Sequence, residues 1–350
     1  MTGHKRLDFT SALFLGLRHQ SSELPGWESL TTGVPAALKE IAVAPRIAGA
    51  VASSQGAEAG LVARSTLHAL IDVFTQLPGA GDIVAVDEAA YPTTKYAAAL
   101  ARRPGVTVLT YRHHQPETVP RTARRLLVAT DGWCSGCNRP APLGRLRDIA
   151  IQHGGLVIVD DSLSYGVLGR RHGDEAFGDG TGTIRWLSHG HNGILWLASL
   201  AKAYGTPIAV LTGPRVVVES LQSTGNRLHA SAPSAPDLHA AWRALTLREE
   251  VRQRRRRLHA LVMLLRTGLI NAGLAVRGLP FPVVPIPMPT PMALRWWGLL
   301  RSNGIDALVQ LPRCLPGAQV SFALSPRHSP VEVGRVVRSL RGIKESSSAA

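Results

Sequence analysis

Short apolar runs rich in β-branched residues alternate with helix-like stretches through the middle of the chain. The runs are residues 82–87, 106–111, 125–130, 155–160, 193–198 and 208–213. The stretches 93–103 and 141–153 between them have the residue spacing of helices. Strands that alternate with helices indicate βαβ units and a mainly parallel sheet. We therefore predict an α/β fold, with a ligand site beyond the carboxyl ends of the strands.

The last third of the chain has a different pattern. We predict a long helix from Asp237 to Leu269, because its apolar residues largely follow one helical face. The strip 279–292 is too rich in proline for a central strand, which leaves an edge strand or a loop. A strand over 319–325 and a helix over 329–343 complete this part.

These patterns predict two domains and a tail. The large domain covers residues 48–235 and has a mainly parallel sheet flanked by helices. The smaller α+β domain is formed by the two chain ends, residues 1–47 and 236–345. Residues 346–350, rich in serine and alanine, are predicted to be a flexible tail.

Arginine dominates the positive charge of the chain. Of 39 lysines and arginines, lysine stands only at positions 5, 39, 95, 202 and 344, and the formal net charge is +15. The densest basic cluster, Arg252 to Arg257, falls inside the predicted long helix. We interpret it as a solvated helix face, with a nucleic-acid-binding patch as the less favoured alternative.

The chain has three cysteines, which are too few for a disulfide framework in 350 residues. Cys134 and Cys137 form a C-x-x-C pair, and Cys314 lies far along the chain. No second C-x-x-C and no H-x-x-x-H accompanies them. We therefore predict an ordinary loop with two thiols and no metal site, with a metal or redox role as the alternative.

Two residues at predicted strand ends have the chemistry of a cofactor site. Asp160 ends the apolar run 155–160, and Lys202 follows the run 193–198. A lysine can become a nucleophile and form a Schiff base, and an acid paired with a ring nitrogen is typical of pyridoxal phosphate sites. A capping acid and a surface lysine are the alternative interpretations.

Polar and aromatic residues precede this pair along the chain. Ser65 and Thr66 open an amphipathic helix, where hydroxyls and free amides suit a phosphate or act as an ordinary helix cap. Tyr91 follows the run 82–87, where it can stack on a flat cofactor or pack as a core tyrosine. Ser199 is a further hydroxyl, three residues before Lys202.

The order of these residues resembles that of the fold-type I pyridoxal-phosphate-dependent enzymes of the class I/II aminotransferase superfamily. This resemblance implies a large-domain sheet of the seven-stranded type and a smaller α+β domain formed by the two chain ends. More narrowly, the chain resembles the α-oxoamine synthases, which include 8-amino-7-oxononanoate synthase and 2-amino-3-ketobutyrate ligase. The stretch DDSLSYGVLG (160–169) is similar to that group's D-E-A-H-S-x-G-V-L-G. Three shorter stretches are also similar to motifs of the group, namely SLAKAYG (199–205), CSGCNRPAPLGRL (134–146) and LFLGLRHQ (13–20).

The resemblance implies a role for each candidate residue. Lys202 is expected to form the Schiff base with pyridoxal phosphate, and Asp160 to pair with the pyridinium nitrogen. Tyr91 falls where the group has a ring-stacking histidine. Ser135 is expected in the loop that faces the phenolic oxygen of the cofactor. The remaining hydroxyls, Ser65, Thr66 and Ser199, are the phosphate candidates.

Several positions depart from the group's pattern. Leu163 replaces its second histidine, and Arg64 stands where fold-type I enzymes often have glycine. The arginine pattern that binds the substrate carboxylate falls on Gln319 and Ser321. A neutral side chain cannot form the bidentate carboxylate pair that arginine forms.

The resemblance implies a transferase that condenses the Cα of an amino acid with an acyl thioester. The alternatives are an aminotransferase or other amine-modifying enzyme with this cofactor, and a cofactor-binding protein without catalysis. We expect a homodimer by resemblance. No apolar run reaches the ~18 residues that span a bilayer and no signal peptide is evident, so a cytoplasmic protein is expected.

Overall fold

The computed structural model describes residues 6–27, 30–122, 124–173 and 175–348. Its strands, in chain order, are β1 (Leu7–Asp8), β2 (Ala59–Ala63), β3 (Ile83–Asp87), β4 (Thr107–Tyr111), β5 (Leu126–Asp131), β6 (Trp133–Cys134), β7 (Arg139–Pro140), β8 (Leu156–Asp160), β9 (Ile194–Ser199), β10 (Ala209–Gly213), β11 (Val283–Met288), β12 (Ile305–Asp306), β13 (Leu308–Gln310) and β14 (Ala318–Ala323). The helices are α1 (Val43–Gln55), α2 (Thr66–Gln76), α3 (Pro92–Ala99), α4 (Leu143–Gln152), α5 (Thr183–Trp186), α6 (Arg215–Ser220), α7 (Gly225–His229), α8 (Ala235–Thr246), α9 (Arg248–Asn271), α10 (Thr290–Ser302) and α11 (Pro330–Ser348).

The chain folds into two compact units. Within the described residues, the larger unit consists of 17–133 and 140–248, and the smaller one of 6–16, 134–139 and 249–348. These limits differ from the predicted domain limits, because α1 and α8 pack against each other inside the larger unit. The domain assignment therefore stays a prediction.

A seven-stranded sheet organises the larger unit, in the order β2-β10-β9-β8-β5-β3-β4. Neighbouring strands in the run β9-β8-β5-β3-β4 pair in parallel, whereas β10 is antiparallel to both β9 and β2. Every residue of β3, β8 and β10 is buried, so both faces of the sheet are covered. The predicted α/β class with a mainly parallel sheet is confirmed.

The apolar core on one sheet face joins the strands to α2, α3 and α6. Leu70, Val73 and Phe74 of α2 pack there against alternate strand residues such as Leu127 and Ile158. Ser65 starts α2 by accepting a hydrogen bond from the His68 amide at 3.3 Å, which satisfies a free N–H of the first turn. Of the seven strands in this sheet, β2 is the one that the pattern of apolar runs did not predict.

The smaller unit contains a three-stranded antiparallel sheet in the order β11-β14-β13. Strand β11, from the proline-rich strip, is an edge strand, with Pro285 opposite Ser321 and Pro287 opposite Gln319. Proline has no N–H for a ladder hydrogen bond, which restricts it to such an edge. Helix α10 packs on β14 and on α11, and β1 pairs in parallel with β12.

The helix predicted from Asp237 to Leu269 is two helices. Helix α8 ends at Thr246, and Leu247 has φ −74° and ψ 50°, outside the helical range. The Thr246 hydroxyl donates to the Arg243 carbonyl at 2.8 Å and competes there with helical hydrogen bonding.

Helix α11 runs through Ser348, so residues 346–348 of the predicted tail are helical, and residues 349 and 350 lie outside the described part.

The basic cluster lies on α9 and makes contacts inside the smaller unit. Arg254 forms an ion pair with Glu250 at 2.8 Å and donates to the Leu15 carbonyl at 3.1 Å. Arg255 is buried, and Arg257 donates to the His328 carbonyl at 3.4 Å. These contacts favour a structural role over a nucleic-acid surface.

Within the described residues, none of the helices combines the length and apolar character of a membrane span.

Candidate active site

Most of the candidate residues lie at one edge of the seven-stranded sheet. Asp160 ends β8 and Ser199 ends β9, while Ser65 follows β2 by two residues. Ala209 of β10 is opposite both Ala63 and Ser199, so the ends of β2 and β9 are at the same level. This edge contains the carboxyl ends of the parallel strands, where ligands bind in sheets of this kind.

Lys202 lies in the short connection between β9 and β10. The connection is closed by backbone hydrogen bonds from Leu200 to Ile208 (2.9 Å) and from Thr206 to Leu200 (3.1 Å). The Lys202 amine lies 5.6 Å from the centre of the Tyr91 ring. Within the described chain, no salt bridge or side-chain hydrogen bond of Lys202 accompanies this contact. The amine is therefore available to an incoming carbonyl group.

Asp160 and its neighbour Asp161 have different environments. Asp160 is buried, and one of its oxygens accepts a hydrogen bond from the Ser162 amide at 3.0 Å. Asp161 accepts hydrogen bonds from the Thr183 amide (2.7 Å), the Thr183 hydroxyl (2.7 Å), the Trp196 indole (2.9 Å) and the Ser164 hydroxyl. Burial raises the pKa of Asp161, and these donors partly offset the increase. Asp161 thus has a structural role, and Asp160 remains the candidate residue for binding a ligand.

Tyr91 directly precedes α3 at the N-cap position, and the residue is 55% exposed. Its backbone amide donates to the Asp131 carboxylate at 2.9 Å, which fixes the position of the ring relative to the end of β5. Asp131 is opposite Asp160 in the register of β5 and β8. The exposed ring and the strand-end acid therefore belong to the same edge of the sheet.

The N-terminus of α2 carries the predicted phosphate hydroxyls. Ser65 is the N-cap and contacts the His68 ring nitrogen Nδ1 at 2.8 Å, and Thr66 is the first helical residue. Ser199 accepts a hydrogen bond from the Ala201 amide at 3.2 Å, in the turn that leads to Lys202. The positive end of the helix dipole favours an anion at this position.

The remaining candidate, Ser135, belongs to the smaller unit. Its carbonyl accepts a hydrogen bond from the Gln319 amide at 3.2 Å. The side-chain oxygen of Gln310 accepts hydrogen bonds from the Gln319 side-chain amide at 3.0 Å and from the Ser321 hydroxyl at 2.7 Å. Gln319 and Ser321, at the positions of the family's arginine pattern, are therefore buried in a neutral network. In the larger unit, Leu163 is half-buried and supplies no ring nitrogen.

Three further residues belong to this edge but escaped the sequence analysis. The Ser162 hydroxyl accepts a hydrogen bond from the Ser199 amide at 2.9 Å and so joins the ends of β8 and β9. Asp131 holds Tyr91, and His68 contacts Ser65. Asp131 has a sequence signal, because it ends an apolar run as Asp160 does. Ser162 and His68 have no such signal. Ser162 contacts Ser199, which is distant in sequence, and His68 contacts Ser65 through its position in the first turn of α2.

Comparison with known proteins identifies the family. Residues 31–331 match the family described as aminotransferase class I and II, and the chain belongs to this family. The 8-amino-7-oxononanoate synthase of Alkalilimnicola ehrlichii is 29% identical over 301 residues, which cover 83% of this chain and 74% of that protein.

Solved structures have the same fold. The serine palmitoyltransferase of Sphingomonas wittichii superposes with a TM-score of 0.85 at 16% identity, covering 99% of this chain and 89% of that one. The 8-amino-7-oxononanoate synthase of Francisella tularensis gives 0.81 at 18% identity, covering 98% and 99%. The predicted fold-type I architecture is therefore confirmed.

Proposed function

We propose that the chain is a pyridoxal-phosphate-dependent transferase of the α-oxoamine synthase type, which joins the Cα of an amino acid to an acyl thioester. The observation that carries this proposal is the position of the Lys202 amine, 5.6 Å from the exposed Tyr91 ring at the edge that also contains Asp160. Family membership and relatives named 8-amino-7-oxononanoate synthase support it. These names favour condensation over transamination and over a protein without catalysis.

The residues at this edge fit the functional groups of the cofactor. Lys202 has an amine for the aldehyde, and Asp160 has a carboxylate for the pyridine nitrogen. The Tyr91 ring provides a surface for stacking. Ser65, Thr66 and Ser199 have hydroxyls for the phosphate, with the amides of the first turn of α2 beside them. Ser135 is retained as the candidate for the phenolic oxygen from the resemblance.

Each residue has a defined task in this proposal. Pyridoxal phosphate supplies an electron sink for the negative charge that develops at the substrate Cα. Asp160 keeps the ring nitrogen protonated, because a neighbouring anion raises the pKa of that nitrogen. Lys202 would hold the cofactor through its amine, and the same amine would take and return a proton at the substrate Cα. Tyr91 orients the ring.

We also propose that the active form is a cytoplasmic homodimer. The resemblance to fold-type I enzymes, whose active sites lie between two subunits, supports the dimer. The cysteines are thiols in the structure, which suits a reducing compartment. Sedimentation velocity of the protein with its cofactor tests the dimer, and a monomer at all concentrations contradicts it.

The Lys202 assignment is tested by the visible spectrum of the full chain reconstituted with pyridoxal phosphate. We expect a Schiff-base absorption band in the wild type and its loss in Lys202→Ala, because alanine has no amine. Lys95→Ala is the matched control, since the Lys95 amine donates to the Glu88 carbonyl at 2.9 Å. A band that persists in Lys202→Ala without added amine contradicts the assignment.

The reaction type is tested by product analysis with panels of amino acids and acyl thioesters. We expect release of free thiol only when both substrates are present, together with a product that contains both carbon skeletons. Formation of a keto acid from the amino acid without consumption of thioester indicates an aminotransferase instead. Absence of turnover with every amine, despite cofactor uptake, indicates a protein without catalysis.

A further inference from the structure

The fold brings together all three cysteines of the chain in the smaller unit. Cys134 ends β6, Cys137 lies in the turn between β6 and β7, and Cys314 lies in the connection between β13 and β14. The sulfur atoms of Cys134 and Cys314 are 3.6 Å apart, and all three sulfurs lie within 4.8 Å of one another. All three cysteines are thiols in the structure.

The sulfur spacing matches that of a metal site. Tetrahedral zinc has Zn–S bonds of about 2.3 Å, which places two sulfur ligands about 3.8 Å apart. A disulfide has an S–S bond of about 2.05 Å, well below the 3.6 Å between Cys134 and Cys314. The cluster thus has the spacing of ligands around a common ion.

The turn that carries the first two thiols is held by backbone and side-chain contacts. Asn138 has φ 56°, and its amide donates to the Cys134 carbonyl at 2.9 Å. Its buried side chain donates to the carbonyls of Leu279 and Val283, each at 3.1 Å. Gln319 donates to the carbonyl of Ser135, between the two cysteines. The thiols of the turn are therefore positioned before any ion binds.

Gly136 leaves the space that the third sulfur occupies. A Cβ at position 136 would lie 2.6 Å from the Cys314 sulfur and 2.9 Å from Pro312 Cβ. Cys314 can lie this close to the C-x-x-C turn only because residue 136 has no side chain. A loop with two incidental thiols has no such requirement.

We infer that Cys134, Cys137 and Cys314 form a binding site for a thiophilic divalent cation, with Zn²⁺ as the expected ion. Three thiolates are soft ligands that favour zinc over magnesium or calcium. They leave one of the four coordination positions to a further donor. The three thiols release their protons to solvent as the metal–sulfur bonds form, so the site carries a net charge of −1.

This site has a structural consequence inside the smaller unit. A bound ion links the β6–β7 turn to the β13–β14 connection, two segments that are distant in sequence. Ser135 lies between the first two ligands, so the ion also fixes the backbone at Ser135.

The site is tested with the reduced full chain, freed of metal by a chelator and titrated with Zn²⁺ and then Co²⁺. We expect one zinc per chain, and a cobalt spectrum with sulfur-to-cobalt charge-transfer bands in the near ultraviolet. Each of Cys134→Ser, Cys137→Ser and Cys314→Ser is expected to weaken binding at least about tenfold, because each removes a ligand. His229→Ala, which removes an exposed histidine from α7, is the control and keeps wild-type affinity.

The cobalt spectrum of the wild type needs no folded variant and so provides an independent test. Absence of the charge-transfer bands overturns the proposal, as does wild-type affinity in all three serine variants. A disulfide between Cys134 and Cys314 that forms in the presence of excess zinc, detected by mass spectrometry without reductant, overturns it too. Equal loss of binding in His229→Ala shows that the metal lies elsewhere.

Discussion

The two acids that end β8 show how adjacent residues take on different tasks. Asp160 has one oxygen engaged by the Ser162 amide, whereas Asp161 is surrounded by four donors in the core. Gly132 and Gly182 border the Asp161 carboxylate so closely that a Cβ at either position would clash with it. The sequence motif presents both acids equally, and the structure distinguishes them by their partners.

We predict that Asp161→Asn is tolerated far better than Asp161→Ala. The asparagine carbonyl can accept from the Thr183 amide and the Trp196 indole, and its amide can donate to the Ser164 and Thr183 hydroxyls. Alanine leaves two buried N–H donors without an acceptor, which costs about 4 kcal/mol, against about 1 kcal/mol for asparagine. Urea unfolding measures both values, and equal losses contradict the role given to these hydrogen bonds.

At the scale of elements, the close contact between α1 and β2 depends on glycine. A Cβ on Gly60 of β2 would lie 2.5 Å from the Ala48 carbonyl oxygen of α1. Gly49 of α1 is exposed, and a Cβ there would meet nothing within 4 Å in the described chain beyond its neighbours and the backbone of its own helix. The two glycines are thus a matched pair, with one required by packing and the other not.

We predict opposite effects for alanine at these two positions. Gly60→Ala forces helix and strand apart and lowers the free energy of unfolding by about 2 kcal/mol or more. Gly49→Ala raises it by about 0.5–1 kcal/mol, because alanine favours the helix more than glycine does. Thermal or urea unfolding of both variants tests the pair, and a Gly60→Ala variant of wild-type stability contradicts the close packing.

Most of the strands that the sequence predicted are buried on both faces, and the edge strand β4 is the exception. The runs that became β3 and β8 are continuous apolar segments, and burial on both faces of a parallel sheet requires that composition. The strand β2, AGLVA, has the same length but begins with two small residues, so it gives no comparable signal. The break at Leu247 also escaped prediction, because the helical spacing of apolar residues continues on both sides of it.

The candidate site was predicted from the order of its residues more than from any single residue. Lys202 and Asp160 follow apolar runs and so could be assigned to strand ends. Their assignment as cofactor residues stays a prediction. The contact between Lys202 and Tyr91 depends on loop geometry that local sequence does not specify. The cysteine cluster was out of reach for the same reason, since Cys314 joins the C-x-x-C pair only through the tertiary fold.

At the scale of the whole molecule, a buried histidine links stability to pH. His191 is buried before β9, and its Nε2 lies 3.3 Å from the Thr212 hydroxyl. Burial lowers the pKa of His191 from 6.5 to about 4. The unfolded chain therefore binds a proton at a higher pH than the folded chain does. The resulting stability is fully present above pH 6.5 and is lost as the pH falls towards 4.

We predict that His191→Gln reduces this pH dependence. Between about pH 7 and about pH 5 the wild type should lose about 2 kcal/mol more than the variant, because glutamine does not titrate. Urea unfolding at both pH values measures the difference, which is independent of any constant cost of the substitution. His229→Gln, at an exposed position, should behave as the wild type does. An unchanged pH dependence in His191→Gln contradicts the assignment.

The prolines of β11 also affect how the protein behaves among its own copies. Since Pro285 and Pro287 cannot donate to β14, the ladder depends on the residues between them, and the Pro285 carbonyl accepts a hydrogen bond from the Arg277 amide at 3.2 Å, outside the ladder. A strand from another molecule that approached this edge would lack donors at positions 285 and 287. The β11 edge of this sheet therefore resists extension by intermolecular strand pairing, a common first step of aggregation during synthesis and refolding.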